Sequence, residues 1–362
     1  MTLANYSRGA ALRAEPNDNK QSDERGARHW LAAQIFRLPM LFRRAASVPT
    51  ISLLAKLCVS ALLIWLVCRK VDFTTIRRHF GDQDAAWLLA AAAITLSQIL
   101  LGTLRWGQIL DALAANVTHR MIFAVTYIGS FFNCWLLGNA GGDIARMLLA
   151  PAQSHGRATI VHSVLFDRIV TLFGLSLAVL PLILLDVGPL SRSVSVICAA
   201  IVASLPWLAM YGGSYWIAKI AADRRGRLLK AIFELCDSWR LFYRARQRLV
   251  LALVFAVLGQ ILISAAAYCL ARAQHIEVSF VDFLALMPPV VLITALPISA
   301  GGWGVREGAM VTALAQVGMT ASSALLDSVE MGLLAAIVSL PGGAIWLFRY
   351  FRRSPSLAVA RQ

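Results

Sequence analysis

Charge is scarce in this chain. Of its 362 residues only 15% are Asp, Glu, Lys or Arg while 59% are hydrophobic, against about a quarter charged in soluble domains. A water-soluble core could not hide that much apolar surface, so the deficit excludes an ordinary soluble domain. The usual signatures of metal and redox chemistry are missing too. Six cysteines (Cys58, Cys68, Cys134, Cys198, Cys236, Cys269) stand far apart with no C-x-x-C pair, and six histidines are equally scattered with no H-E-x-x-H. No metal, no cofactor and no catalytic dyad is therefore expected, and no Walker-type nucleotide motif occurs. The first long apolar run starts too late to be a signal peptide. Acidic residues are the scarcer sign, 19 against 34 Lys and Arg, for a net charge of +15. That excess flanks apolar runs instead of forming a stripe with aromatics, so it speaks for topology and anionic lipid and against nucleic acid.

What the chain has instead is length of apolar sequence. Runs lie at about 51 to 68, 86 to 104, 121 to 138, 168 to 186, 194 to 212, 249 to 271, 281 to 298 and 328 to 348. Each approaches the ~20 residues that cross a hydrocarbon layer about 30 Å thick. The expected fold is all-α, a polytopic membrane protein with about eight long apolar helices. Residues 1–50 form a polar, basic arm, whose distal part from His29 to Ala46 suits a helix on the membrane surface interrupted by Pro39. Residues 51–350 form the transmembrane domain and 351–362 a basic tail. The basic loop at 216–248 carries nine Lys or Arg between Lys219 and Arg248. The positive-inside rule places this loop, the arm with its eight basic residues and the tail in the cytoplasm, so both termini are inside. Loops Val187 to Ser193 and Arg272 to Phe280 hold one basic residue each and fit the outer face, while Arg69 to Ala85, with four basic and three acidic residues, votes awkwardly.

Two segments resemble each other at an offset of 160. Ala140-Gly141-Gly142-Asp143-Ile144-Ala145-Arg146 matches Ala300-Gly301-Gly302-Trp303-Gly304-Val305-Arg306, and the register continues to Asp167/Asp327 and Pro181/Pro341. Nine identities fall in 42 aligned positions, where this composition gives roughly four by chance. Each motif follows an apolar run and precedes a shorter, more broken one, Ile144 to Phe166 and Val305 to Ala324. Adjacent glycines let the chain turn at membrane depth. If each pair is a re-entrant hairpin, six full spans remain, the charge votes agree, and the repeats have inverted topology. Such repeats place sites near the midplane with helix N-termini aimed at anionic groups.

On this reading Arg146 and Arg306 sit near the first turn of a re-entrant helix and offer bidentate contacts to a phosphate beside the amides of Gly141, Gly142, Gly301, Gly302 and Gly304. The glycines could instead serve close helix packing alone. Asp143 either caps the following helix or touches substrate. Asp167 and Arg168 read as an ion pair, an interfacial anchor or part of the site. Glu307 either neutralises Arg306 or reads a cationic headgroup. Asp327 and Glu330, one turn apart, fit a proton relay or a water-exposed helix start equally well.

The segments G-N-A-G-G-D-I-A-R (138–146), F-D-R-I-V-T-L-F-G-L (166–175) and L-P-I-S-A-G-G-W-G-V-R-E-G (296–308) resemble the transmembrane family of lysylphosphatidylglycerol synthase/flippase proteins, which includes the membrane half of the multiple peptide resistance factor and stand-alone relatives. The resemblance covers about 51 to 350. It implies a protein that moves or presents amphiphilic lipids in a bacterial inner membrane. The soluble aminoacyl-transferase domain of bifunctional members is absent from this sequence, so synthase activity is not expected. Partners are then membrane lipids, with self-association into a homo-oligomer open. A membrane-embedded transferase using Asp143, Asp167 and Glu307, or an accessory subunit of a lipid-synthesis complex, are the alternatives.

Overall fold

The computed structural model describes residues 83–135, 141–151, 156–185, 200, 227–295 and 304–351. The arm 1–50, the apolar segments 51–68 and, apart from residue 200, 194–212, the tail beyond Phe351 and the glycines Gly301 and Gly302 lie outside the described residues.

The described elements are helices: α1 Ala85–Ala112, α2 His119–Trp135, α3 Gly141–Leu149, α4 Gly156–Leu184, α5 Arg227–Arg244, α6 Arg246–Ala273, α7 Phe280–Ala295, α8 Val305–Leu314 and α9 Ala321–Phe351, with a 3-10 turn at Ala315–Val317. No strand occurs among the described residues. Helices α1, α4, α6 and α9 are each long and apolar enough to cross a membrane. The 28 residues of α1 rise about 42 Å. Leu89, Leu96, Leu100 and Leu104 on α1, and Val250, Val254 and Leu258 on α6, remain exposed, an arrangement suited to hydrocarbon contact. The hydroxyls of Thr95, Ser97 and Thr103 donate to the carbonyls four residues earlier, at 2.8, 2.8 and 2.9 Å. Polar side chains can ride an apolar helix in this way.

The helices repeat. In order, α1 to α4 have 28, 17, 9 and 29 residues, and α6 to α9 have 28, 16, 10 and 31. Ala85 and Ala112 bound α1 where Arg246 and Ala273 bound α6, an offset of 161 at both ends. The internal repeat therefore extends upstream of the glycine motifs, where sequence identity gives no signal. Pro181 and Pro341, matched in the sequence, both lie inside long helices.

The expected second arms, Ile144 to Phe166 and Val305 to Ala324, are not continuous. α3 ends at Leu149, two residues before Pro151, because the residue preceding a proline is driven out of the helical region. α4 then starts at Gly156 with φ +78°. In the second repeat Gly318, at φ +80°, separates the 3-10 turn from α9. The long helices thus begin earlier than 168 and 328 and take in Asp167, Arg168 and Asp327.

α3 folds back along α2. Gly142 meets the Gly129 carbonyl, and a β-carbon at Gly142 would stand 2.7 Å from Asn133 Cγ, while one at Gly129 would stand 3.4 Å from Arg146 Cγ. α2 in turn docks on α9: Tyr127 Oη donates to the Val338 carbonyl at 2.9 Å, and Gly342 and Gly343 face the Tyr127 carbonyl and the Phe131 ring. Such close approach needs residues without side chains.

The basic loop is more than a topology signal. It contains α5, whose Trp239 and Phe242 are buried against Phe166, Ile109 and Leu113. Their rings lie 5.0 and 5.9 Å from that of Phe166. Just beyond, Arg248 pairs with Asp111 at 3.1 Å, tying the loop to the end of α1.

Candidate functional site

The first glycine motif opens α3, and its charged side chains join a network drawn from three helices. Arg105 of α1 donates from Nε to Asp167 Oδ1 at 2.7 Å and from Nη2 to Oδ2 at 3.3 Å. Arg146 of α3 donates from Nη1 to Asp167 Oδ2 at 2.8 Å and from Nη2 to Asp143 Oδ1 at 2.5 Å. Arg168 of α4 donates from Nε to Asp143 Oδ2 at 2.6 Å. The order Arg105, Asp167, Arg146, Asp143, Arg168 alternates sign and carries one net positive charge. Its carboxylates accept charge-assisted bonds on both oxygens. Asp167 is 1% exposed, whereas the Arg168 side chain at the far end is 42% exposed, so the network runs from the interior to an accessible guanidinium. Trp106 braces it, with Arg146 Cζ 5.3 Å from the ring centroid and the indole N–H donating to Ser163 at 3.1 Å.

Three expectations change here. Asp143 does not cap the helix that follows, because α3 already starts at Gly141 and both Asp143 oxygens go to arginines. Asp167 and Arg168, adjacent in sequence, pair with other residues and not with each other. Arg146 lies in the last turn of α3 instead of near its first, a position a cation favours. The first-turn amide of Gly142 is already used, donating to Asn133 Oδ1 at 2.6 Å.

Arg105 and Asn133 were not legible as site residues. The signal for Arg105 was present, since a lone arginine in the apolar stretch Ile99 to Ile109 needs a buried partner.

The second motif is built around Gly304, whose φ of +85° favours glycine. Its N–H donates to Glu307 Oε2 at 2.5 Å. Glu307, 3% exposed, also takes Arg306 Nη2 on Oε1 at 2.8 Å. It therefore both caps α8 and neutralises its neighbour. Arg306 Nε donates to Ser328 of α9 at 3.2 Å, and a β-carbon on Gly332 would lie 2.5 Å from Arg306 Nη2. The guanidinium thus rests on α9 at a glycine. The end of α2 comes to the same helix: Trp135 Nε1 donates to the Ala336 carbonyl at 3.3 Å, and Cys134 lies near Ser339 and within range of the Arg306 charge. The tip of the first helix pair and the second motif accordingly lie close together.

Among the described residues no group of three or more His, Cys, Asp or Glu could hold a metal ion.

Spanning helices, two repeats that each carry a pair of shorter helices, and arginines held by carboxylates at those pairs define a polytopic helical membrane protein with an internal duplication. A family model described as the lysylphosphatidylglycerol synthase TM region matches residues 53–343, and the chain belongs to that family. The match spans both glycine motifs and all but the end of α9. It places the chain among membrane proteins related to lipid modification or transport. No curated protein matches the chain.

Proposed function

We propose that this protein is a lipid translocator of a bacterial inner membrane, with six full spans, two re-entrant hairpins formed by α2–α3 and α7–α8, and both termini in the cytoplasm. Its partners are membrane lipids, and its substrate is an amphiphile with an anionic or zwitterionic headgroup. One observation carries the reading: each repeat sets an arginine on a helix of only 9 or 10 residues, which rises about 14 Å and cannot cross a bilayer. A guanidinium at that depth costs at least ~2.5–3.5 kcal/mol on insertion scales. That cost is accepted where the charge serves an ion pathway or substrate site.

The headgroup phosphate engages Arg306 and Arg168, the most exposed arginine side chains of the two nodes, while the tails stay in hydrocarbon. Arg146, held between two aspartates, positions the first node. Exposure of the two hairpins to opposite faces in turn then moves the headgroup. The carboxylates that a transferase would use, Asp143, Asp167 and Glu307, are each engaged by arginine, which supports transport over general acid–base chemistry.

The test is Arg306→Ala in proteoliposomes, read by sidedness-resolved transfer of a labelled phospholipid. Transfer is abolished while expression and monodispersity survive. Unchanged transfer, or product formation from labelled lipid by detergent-purified protein, overturns the proposal.

A further inference from the structure

The 160-residue offset pairs Asp167 with Asp327, and the two aspartates sit in opposite circumstances. Asp167 is buried between two arginines. Asp327, on α9, has no exposed surface, and neither of its carboxylate oxygens has a hydrogen-bond partner. A second pair of positions supports the register of the repeats, at 161 for the end of α1 against α6 and at 160 for α4 against α9. Leu113 and Val170 share a cluster in the first repeat, where their counterparts Gln274 and Glu330 hydrogen-bond at 3.3 Å in the second.

Two residues account for the difference. The shared bounds of α1 and α6 put Ala266 at the place of Arg105, and Ala266 is itself buried. Arg306, the counterpart of Arg146, turns its guanidinium to Glu307, Ser328 and Gly332. The charged group acting on Asp327 is Glu330 on its own helix, while the Arg306–Glu307 pair of α8 reaches the neighbouring Ser328. Gln83, ahead of α1, and Gln274, at the end of α6, give their amides to Glu330. Arg272 of α6 lies instead over the Trp87 ring.

A fully buried carboxylate with neither donor nor cation is not sustained as a bare anion. It takes up a cation, and since among the described residues no group of three or more His, Cys, Asp or Glu could hold a metal ion, that cation is the proton. We propose that Asp327 is the proton-binding carboxyl through which this protein couples lipid movement to a proton gradient. This inference rests on the lipid-translocator reading. The carboxylate gains a proton from one aqueous face and releases it to the other, and only an O–H bond forms and breaks.

With one proton per lipid, a gradient of one pH unit shifts the steady-state leaflet ratio of the lipid by up to about tenfold. In proteoliposomes the wild-type chain shows such a shift, and Asp327→Asn, isosteric with the protonated acid, leaves the ratio at one. If Asp327→Asn abolishes transfer outright, Asp327→Glu decides: a gradient response with a displaced pH profile supports the inference, and none overturns it. A hydrophobic carbodiimide, which attacks protonated carboxyls, provides a readout free of transport. Labelling at Asp327, located by mass spectrometry, rises as pH falls. Absence of that labelling overturns the inference, as does transfer that responds to sodium and not to pH. Wild-type transfer indifferent to a pH gradient overturns the coupling alone, whereas no transfer under any gradient overturns the lipid reading and the coupling together.

Discussion

The contrast between the two matched aspartates predicts a stability loss at one position and none at its equivalent. Asp167→Ala deletes a carboxylate that is 1% exposed and receives two bonds from Arg105 and one from Arg146. Removing one partner of a buried ion pair typically costs about 3–5 kcal/mol, because the remaining charge is stranded. Arg146 keeps Asp143, so most of the loss comes from Arg105. Asp327→Ala deletes a carboxyl that makes no bond, so its lost packing is offset by relief of a buried polar group, and the net effect stays near zero or turns stabilising. Heating detergent-purified protein and scoring the surviving monodisperse fraction gives an apparent midpoint for each variant. Asp167→Ala falls by several degrees, Asp327→Ala does not fall, and Arg105→Ala with Asp167→Ala recovers part of the loss since no guanidinium is left stranded. The double mutant isolates the pair from generic packing damage. A wild-type midpoint for Asp167→Ala, or an equal loss for Asp327→Ala, would refute the ion-pair account of this repeat.

Two further substitutions probe how the elements are held. Gly142→Ala pushes a β-carbon into the Gly129 carbonyl and the Asn133 amide, so α3 must shift from α2 at a cost of roughly 1–3 kcal/mol; the midpoint should drop, whereas Gly102→Ala, with nothing within 4 Å, should leave it unchanged. Phe242→Ala empties a site that is 0% exposed between α5 and the long helices. It costs about 3–5 kcal/mol, and faster protease cleavage within Arg227–Arg244 should accompany the lower midpoint.

The all-helical, membrane-spanning character of the chain, with four spanning helices among the described residues, and the pairing of the motifs could be read from the sequence because hydropathy and the A-G-G-x-x-x-R spacing are local properties. The starts of α4 and α9 could not. His162, Ser163, Asp167 and Arg168 dilute the hydropathy of the first turns of α4, and they belong in the helix only because Ser238, Trp106, Arg105 and Asp143 meet them from elsewhere in the chain. Periodicity carries no information about such distant partners. The site shows the same division. Arg146, Arg306 and Glu307 were evident from their motif, but the role of Asp167 depends on Arg105, 62 positions away in sequence, and that of Asp143 on Arg168, 25 positions away. Burial of the lone Asp327 carboxyl likewise follows from what Ala266 lacks, a negative fact that no pattern in the second repeat announces.

The glycine pair on α9 has a mechanical consequence. Tyr127 presses its carbonyl onto Gly342, and its hydroxyl reaches Val338 one turn earlier. Sliding α2 along α9 by a turn would drive that carbonyl against Val338 in one direction or Trp346 in the other. The joint therefore blocks translation as a notch blocks a bolt, so α2 travels with α9. The pieces that move together then cut across the duplication, with α2 of the first repeat held to the long helix of the second.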